Sequence, residues 1–163
     1  MTSNFIAHRR QSDGLIQSVG LHLAETAALS ERFGAAVGLP LCGRLLGLCH
    51  DLGKYSQDFK DYISAVSGIL GEEVRVAAEA KRGTIDHATA GAQLIWNRLN
   101  NGKLSRSLAQ ILSVSVMSHH SRTGMRDFIS LEGKSPFLSR LAKDDADTHL
   151  QEALKNADEA IIS

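Results

Sequence analysis

Apolar residues recur at helical spacing along most of the chain, and this periodicity constrains the fold more than any other feature. Near the start, Leu15, Val19, Leu23 and Leu29 lie on one face of a helix. No stretch alternates with period two for long, and a composition rich in Leu and Ala with only two prolines favours helices. The sequence therefore predicts an all-α fold in which helices pack on helices.

The predicted helices are joined by connections with recognisable end signals. Pro40, Ser56 and Pro136 are typical of helix starts, and Gly53 and residues 100–102 are typical of helix ends. The segment 68–84 is compatible with a short helix over residues 74–80 or with a loop. The other predicted helices span residues 15–33, 40–51, 57–63, 86–99, 105–120, 136–141 and 145–162.

The charge of the chain is balanced, with 18 basic and 18 acidic residues. A domain that grips long nucleic acid by itself usually has a basic excess, so this balance counts mildly against such binding. It does not count against phosphate chemistry, because bound metal ions would supply positive charge. Arg98, Lys103 and Arg106, together with Arg122 and Arg126, are candidates for a phosphate track, although a solvated charged surface is the simpler interpretation.

The chain contains no apolar run of the roughly 18 residues that a membrane span needs, and its N-terminus lacks the pattern of a signal peptide. A cytoplasmic location is therefore expected. Cys42 and Cys49 lie seven residues apart on one predicted helix, too far for a disulfide, and are expected to be free thiols.

The distribution of histidines is the strongest functional signal. Imidazole and carboxylate groups bind borderline divalent metals, and distant helices can bring them together in a bundle core. Six such residues lie inside or beside apolar segments: His22, His50, Asp51, His87, His119 and His120. His8 and His149 stand in polar surroundings and are expected to face solvent.

Each histidine also has a simpler interpretation. A single histidine on an apolar helix face is more often a hydrogen-bonded core residue, and this applies to His22 and His87 taken alone. The adjacent pairs His50–Asp51 and His119–His120 shift the balance, because burying neighbouring polar groups is costly unless they share a partner. The joint pattern predicts one shared metal centre.

The segment from His50 to Lys54 reads HDLGK, the HD signature of metal-dependent phosphohydrolases. Five segments around this signature occur in order over about residues 5–124: FIAH, HLAETAALSERFGAAVGL, GLCHDLGKYSQDFKDYI, DHATAGAQLIW and MSHHSRTG. Together they resemble the HD nuclease domain of the CRISPR-associated helicase-nuclease of type I systems. The resemblance implies an HD-domain helical bundle with a metal centre in its core. It also implies that residues 1–163 are a single HD nuclease domain from the N-terminal part of a larger protein with a C-terminal helicase.

The resemblance also assigns roles to residues. Asp51 would bridge two divalent ions, His22 and His50 would complete one site, and Lys54 would contact a substrate phosphate as a catalytic residue. His87, His119 and His120 would complete the other site. Nitrogen-rich ligands favour Mn²⁺, Fe²⁺, Co²⁺ or Ni²⁺ over Mg²⁺.

One feature departs from the family pattern. The family closes its first site with an aspartate on a helix well beyond the double histidine, and no aspartate here matches that motif. The loosest candidates are Asp127, Asp144, Asp145, Asp147 and Asp158. The sequence is therefore expected to stop before the last ligand, which would weaken the first site.

The expected activity is hydrolysis of single-stranded DNA, with two metal ions activating water and neutralising the phosphate. The expected partners are a helicase domain or subunit and the CRISPR surveillance complex, with no membrane. No aromatic platform for stacking bases is evident in the sequence. The alternatives are an HD phosphohydrolase that acts on a nucleotide or cyclic dinucleotide, and a catalytically silent helical assembly module.

Overall fold

The computed structural model describes residues 5–67, 72–79, 83–121 and 134–162, and helices dominate these ranges. The helices are α1 (Val19–Ala35), α2 (Pro40–Cys49), α3 (Gln57–Val66), α4 (Glu72–Glu79), α5 (Thr89–Leu99), α6 (Lys103–Ser118), α7 (Pro136–Leu141), α8 (Asp145–Thr148), α9 (Leu150–Asn156) and α10 (Glu159–Ile162). A short 3-10 helix over Leu52–Tyr55 follows α2. The prediction of a helical HD-type bundle is confirmed, and none of the described helices is long and apolar enough to span a bilayer.

A small antiparallel hairpin precedes the helices, formed by β1 (Ile6–Arg9) and β2 (Ile16–Ser18). The predicted start of the first helix at Leu15 is therefore wrong. Ser18 is the N-cap, and its side chain accepts a hydrogen bond from the amide of Leu21, so that α1 begins at Val19. The spacing of Leu15 to Val19 fits a helix, but Leu15 is exposed and contributes no core contact that would favour one.

The C-terminal region also differs from its prediction as one segment over residues 145–162. His149 has a φ of 55° and separates α8 from α9. Ala157 is extended and separates α9 from α10. Because both residues leave the right-handed helical region and turn the chain, an amphipathic pattern that reads as one helix becomes three short ones.

Two helical hairpins, α1–α2 and α5–α6, form the body of the fold. Gly47 of α2 lies so close to α1 that a Cβ atom there would be 2.4 Å from the Cα of Ala27. A Cβ atom on Gly91 of α5 would be 1.8 Å from the carbonyl oxygen of Cys49. These close approaches set the end of α2, where the HD pair lies, directly against the start of α5.

The apolar core has two parts. One lies between α1, the 3-10 helix and α9 and is centred on Leu23, Leu52 and Tyr55. The other lies between α2, α5, α6 and α7 and contains Ile95, Val116 and Phe137 among others. Cys42 and Cys49 are free thiols, as predicted, and pack in the second part.

Candidate metal centre

The six side chains predicted to share a pocket lie together around the carboxylate of Asp51. They arrive from α1 (His22), the end of α2 (His50 and Asp51), the turn before α5 (His87) and the end of α6 (His119 and His120). Asp51 is buried, with 3% of its side chain exposed, whereas His120 is the most open, with 61% exposed. The structure thus places a buried anion at the centre of a ring of imidazoles.

One face of the carboxylate carries a tight triangle of donor atoms. The Nε2 atom of His22 lies 2.9 Å from Oδ2 of Asp51 and 3.0 Å from Nε2 of His50. The Nε2 atom of His50 lies 3.1 Å from the same oxygen. Ligands at right angles on an ion with bonds of about 2.1 Å are separated by about 3 Å, so this triangle fits three ligands of one divalent ion.

The other carboxylate oxygen faces the second group of histidines. Oδ1 of Asp51 lies 3.2 Å from Nε2 of His119, 3.5 Å from Nε2 of His87 and 3.8 Å from Nε2 of His120. The Nε2 atoms of His87 and His120 are 2.9 Å apart. These four residues form a group whose donor atoms all lie within 4.8 Å of one another, and such a group can hold a divalent metal.

Three of the imidazoles are oriented by backbone carbonyls. Nδ1 of His50 lies 2.8 Å from the oxygen of Gly47, Nδ1 of His119 lies 2.6 Å from that of Val116, and Nδ1 of His87 lies 3.1 Å from that of Ile85. His50 and His119 are the C-cap residues of α2 and α6, so each ring folds back onto the last turn of its own helix.

A carbonyl oxygen only accepts, so these contacts require a proton on Nδ1 and leave the lone pair of the neutral ring on Nε2. The lone pairs of His50 and His119 then point at carboxylate oxygens, which are also acceptors. Such acceptor pairs are stabilised only by a proton or a cation between them. This arrangement of ring nitrogens is the one that metal-binding histidines use.

The local environment keeps the outer imidazoles neutral. Burial lowers the pKa of His87 to about 4, and the carboxylate of Asp51 opposes this only in part. Burial also lowers the pKa of His120, and the neighbouring His119 adds to the effect. Burial alone would favour protonation of Asp51, but protons shared with His119, His22 and His50 in the metal-free protein, together with the charge of Lys54, hold its pKa far below its usual range.

Lys54 is part of the cluster. It belongs to the 3-10 helix, and its Nζ atom lies 2.8 Å from Oδ2 of Asp51 and 3.2 Å from Nε2 of His8. Only 4% of its side chain is exposed. The ammonium group also lies 5.3 Å from the centre of the Phe59 ring. A buried cation therefore stands directly on the carboxylate that the histidines surround.

His8 was expected only to face solvent, but it contacts Lys54 and His22 of the cluster. Its residue is exposed, but its ring lies 4.7 Å from that of His22, centre to centre. Burial lowers its pKa to about 4, and the ammonium of Lys54 acts in the same direction. His8 lies within the FIAH segment, the only sequence signal that points to it.

A polar network behind the cluster was also missed. Arg140 of α7 donates to the side chains of Asp86 and Thr89 and to the carbonyl of Met117, at 2.6–3.1 Å. Lys143 lies 2.7 Å from the other oxygen of Asp86. The network joins the residue before His87 to the last turn of α6, and so fixes the two histidine-bearing segments relative to each other. Its members are too far apart in sequence for any local pattern to reveal it.

A groove of about 610 Å³ opens beside the cluster, lined by His8, Lys54, His87 and His120. Phe59 and Tyr62 of α3 lie in its wall, so that aromatic rings face the site after all. Arg98, Lys103 and Arg106 lie instead around the α5–α6 turn, at the opposite end of that hairpin from the histidines. The length of α5 separates them from the cluster by about 16 Å, so these three residues of the predicted phosphate track do not border the site.

The loose candidates for a final aspartate ligand that the structure describes do not belong to either donor group. Asp158 accepts a hydrogen bond of 3.0 Å from the hydroxyl of Tyr55, and Asp145 accepts one of 2.8 Å from the amide of Gln151. Asp127, with Arg122 and Arg126, lies outside the described residues. Within the described part of the chain, Asp51 is the single carboxylate in the two donor groups.

Comparison with known families agrees with this geometry. The family model described as Cas3, HD domain matches residues 42–161, well over half of the chain. The chain belongs to the Cas3 HD-domain family. No curated protein matches it at a significant level. Membership of the Cas3 HD family makes the chain an HD-type, metal-dependent hydrolase from a CRISPR-associated family. His8 and His22 precede the matched range.

Proposed function

We propose that the chain is a nuclease that uses two divalent ions to hydrolyse phosphodiester bonds of single-stranded DNA. The observation that carries the proposal is the placement of Asp51, whose two oxygens face different sets of histidines. A carboxylate has lone pairs on both oxygens and can serve two cations at once. When bound, two ions activate water and neutralise the charge of a phosphate.

The residues divide between the two proposed ions. His22, His50 and Asp51 would hold one, and Asp51, His87, His119 and His120 would hold the other. Five imidazoles and one carboxylate form a donor set that suits Mn²⁺, Fe²⁺, Co²⁺ or Ni²⁺ better than Mg²⁺.

We infer that a DNA strand occupies the groove beside the cluster, which offers a cation for a phosphate and an aromatic ring for a base. Lys54 stands at the junction between the groove and Asp51, where its ammonium can contact a phosphate oxygen. Tyr62 is half-buried in the groove wall and offers a ring on which a base can stack. His120, the most exposed proposed ligand, borders the opening through which a strand would enter.

The balanced charge of the domain limits its own grip on DNA. We therefore propose that strand delivery depends on a helicase domain or subunit and on the CRISPR surveillance complex. In this arrangement the domain supplies the hydrolytic centre, and its partners supply most of the affinity for the strand.

The test uses circular single-stranded DNA with Mn²⁺, because only internal cleavage linearises a circle. Wild-type protein is expected to linearise the circle, and Asp51→Asn is expected to reduce the rate by about a hundredfold or more. His149→Gln, which changes a histidine paired with Asp58 and Glu152 outside the cluster, is the matched control. Hydrolysis of nucleotides or cyclic dinucleotides without any nicking of DNA would contradict the proposal, as would full activity of Asp51→Asn.

A further inference from the structure

A sixth imidazole, that of His8, borders the first proposed metal site. One ring nitrogen of His8, one of His22 and one oxygen of Asp51 all lie within 4.8 Å of one another. Donors that share one ion with bonds of about 2.1 Å can be at most about 4.2 Å apart, so small side-chain adjustments bring the three into one coordination shell.

The backbone holds His8 in this position. Ile6 pairs with Ser18 and His8 with Gln17, so β1 carries one extra residue at Ala7. Such a bulge redirects the side chains that follow it and is common beside active sites. Ala7 is buried in the core, and the amide of Val19 donates to the carbonyl of Phe5 at 2.9 Å. The hairpin is therefore fixed to the start of α1, less than one turn before His22.

The tautomer of His8 also suits a ligand. The ammonium of Lys54 can only donate, so its contact of 3.2 Å with Nε2 of His8 requires a lone pair on that nitrogen. Lys54 simultaneously contacts Oδ2 of Asp51. The ammonium group therefore lies between His8 and Asp51. Both groups can bind a cation in the space between them.

The first proposed site has fewer donors than the second. His22, His50 and Asp51 supply three donors, whereas the second site has four. The aspartates beyond the double histidine that the structure describes do not enter either donor group. Within the ranges that the structure describes, the imidazole of His8 is a further donor beside the triangle.

We propose that His8 is a ligand of the ion held by His22, His50 and Asp51. This inference rests on the proposed two-ion function and deepens it, because it adds a nitrogen donor from the N-terminal hairpin to the first site.

The test is a titration of the metal-free protein with Mn²⁺. Calorimetry and the loss of the paramagnetic resonance signal of the free ion together give the number of bound ions and their affinities. Wild-type protein is expected to bind two ions. The glutamine of His8→Gln keeps an acceptor for Lys54 but is a poor ligand for these ions. We expect this variant to bind one of the two ions with an affinity about tenfold or more lower than that of wild type. His8→Asp, which supplies a carboxylate, is expected to retain both ions, and His149→Gln is expected to match wild type.

The outcomes separate this inference from the proposed function. Two ions bound by wild type and equally tightly by His8→Gln would overturn the role of His8 alone. No Mn²⁺ bound by wild type would overturn both proposals. Circular dichroism and melting of the metal-free variants check that each is folded, and a His8→Asp variant that is folded but binds only one ion would also contradict the assignment.

Discussion

The amide of Gly53 donates a hydrogen bond of 3.1 Å to the carbonyl oxygen of His87. This bond joins the HD segment to the turn that carries the lone histidine of the second proposed site. A Cβ atom on Gly53 would lie 2.6 Å from that oxygen and 2.7 Å from the Cα of His87. The glycine of the HDLGK segment is therefore required by the close approach of two backbones, and the site depends on it.

We expect Gly53→Ala to separate these two segments. The added methyl group meets backbone rather than a movable side chain, so the free energy of unfolding should fall by about 1–3 kcal/mol. Mn²⁺ affinity should fall with it, because His87 moves away from Asp51. Gly102→Ala is the control, since its Cβ meets only the side chain of Ser105 within 4 Å. Chemical denaturation and Mn²⁺ titration of both variants provide the test, and equal losses in the two variants would refute this explanation.

Lys54 pairs with the Asp51 oxygen that also faces His22 and His50, so we expect it to compete with a metal ion for that oxygen. We expect Lys54→Met to bind Mn²⁺ several-fold more tightly than wild type, because one positive charge 2.8 Å from the carboxylate is lost. DNA cleavage by the same variant should decrease, since the proposed phosphate contact is also lost. Lys60→Met is the control, because Lys60 lies over Phe5 outside the cluster. Weaker metal binding by Lys54→Met would show that the lysine supports the ions rather than competing with them.

The Arg140 network should contribute to stability much more than an exposed ion pair. Arg140→Ala leaves Asp86 and the Met117 carbonyl with fewer partners in a half-buried site, so we expect a loss of about 3 kcal/mol. Arg44→Ala removes an exposed pair with Glu31 and should cost less than about 1 kcal/mol. Urea denaturation of the two variants measures the difference. A similar small effect in both would mean that Arg140 does not fix α7 to the histidine-bearing helices.

Tyr55 gives a pH-dependent contribution to stability. Burial raises the pKa of its hydroxyl above its ordinary value, and the neighbouring Asp158 has mixed effects. Because the folded pKa exceeds the unfolded value of about 10, the contribution is complete below pH ~10 and is lost as the pH rises through the folded pKa. Tyr55→Phe should therefore show a shallower decline of stability above pH ~10 than wild type. Denaturation at pH 9 and pH 11 measures this decline, and an equal fall in the free energy of unfolding of the two proteins would contradict the prediction.

The order of the helices and the composition of the cluster were predictable because both depend on local patterns. Helical periodicity locates α2, α3, α5 and α6, and Ser56 caps α3 as expected, accepting from the amide of Phe59. The joint occurrence of histidine pairs then predicts a shared pocket, which the structure places around Asp51.

The features that were not predictable depend on contacts between distant segments. The hairpin has only four and three residues in its strands, too few for an alternating pattern to stand out from the helical one that follows. His8 enters the cluster through the bulge in that hairpin, and Lys54 is buried because β1 and α3 cover it. Neither the polar residues 9–13 that follow His8 nor the position of Lys54 after a helix end indicates this.

The most direct test of the central claim is the anomalous scattering of a crystal grown with Mn²⁺. We expect two peaks about 3.5–4 Å apart, on either side of the Asp51 carboxylate. One should lie against His22 and His50, and the other against His87, His119 and His120. Mn²⁺ peaks elsewhere on the protein, with none beside Asp51, would contradict the account.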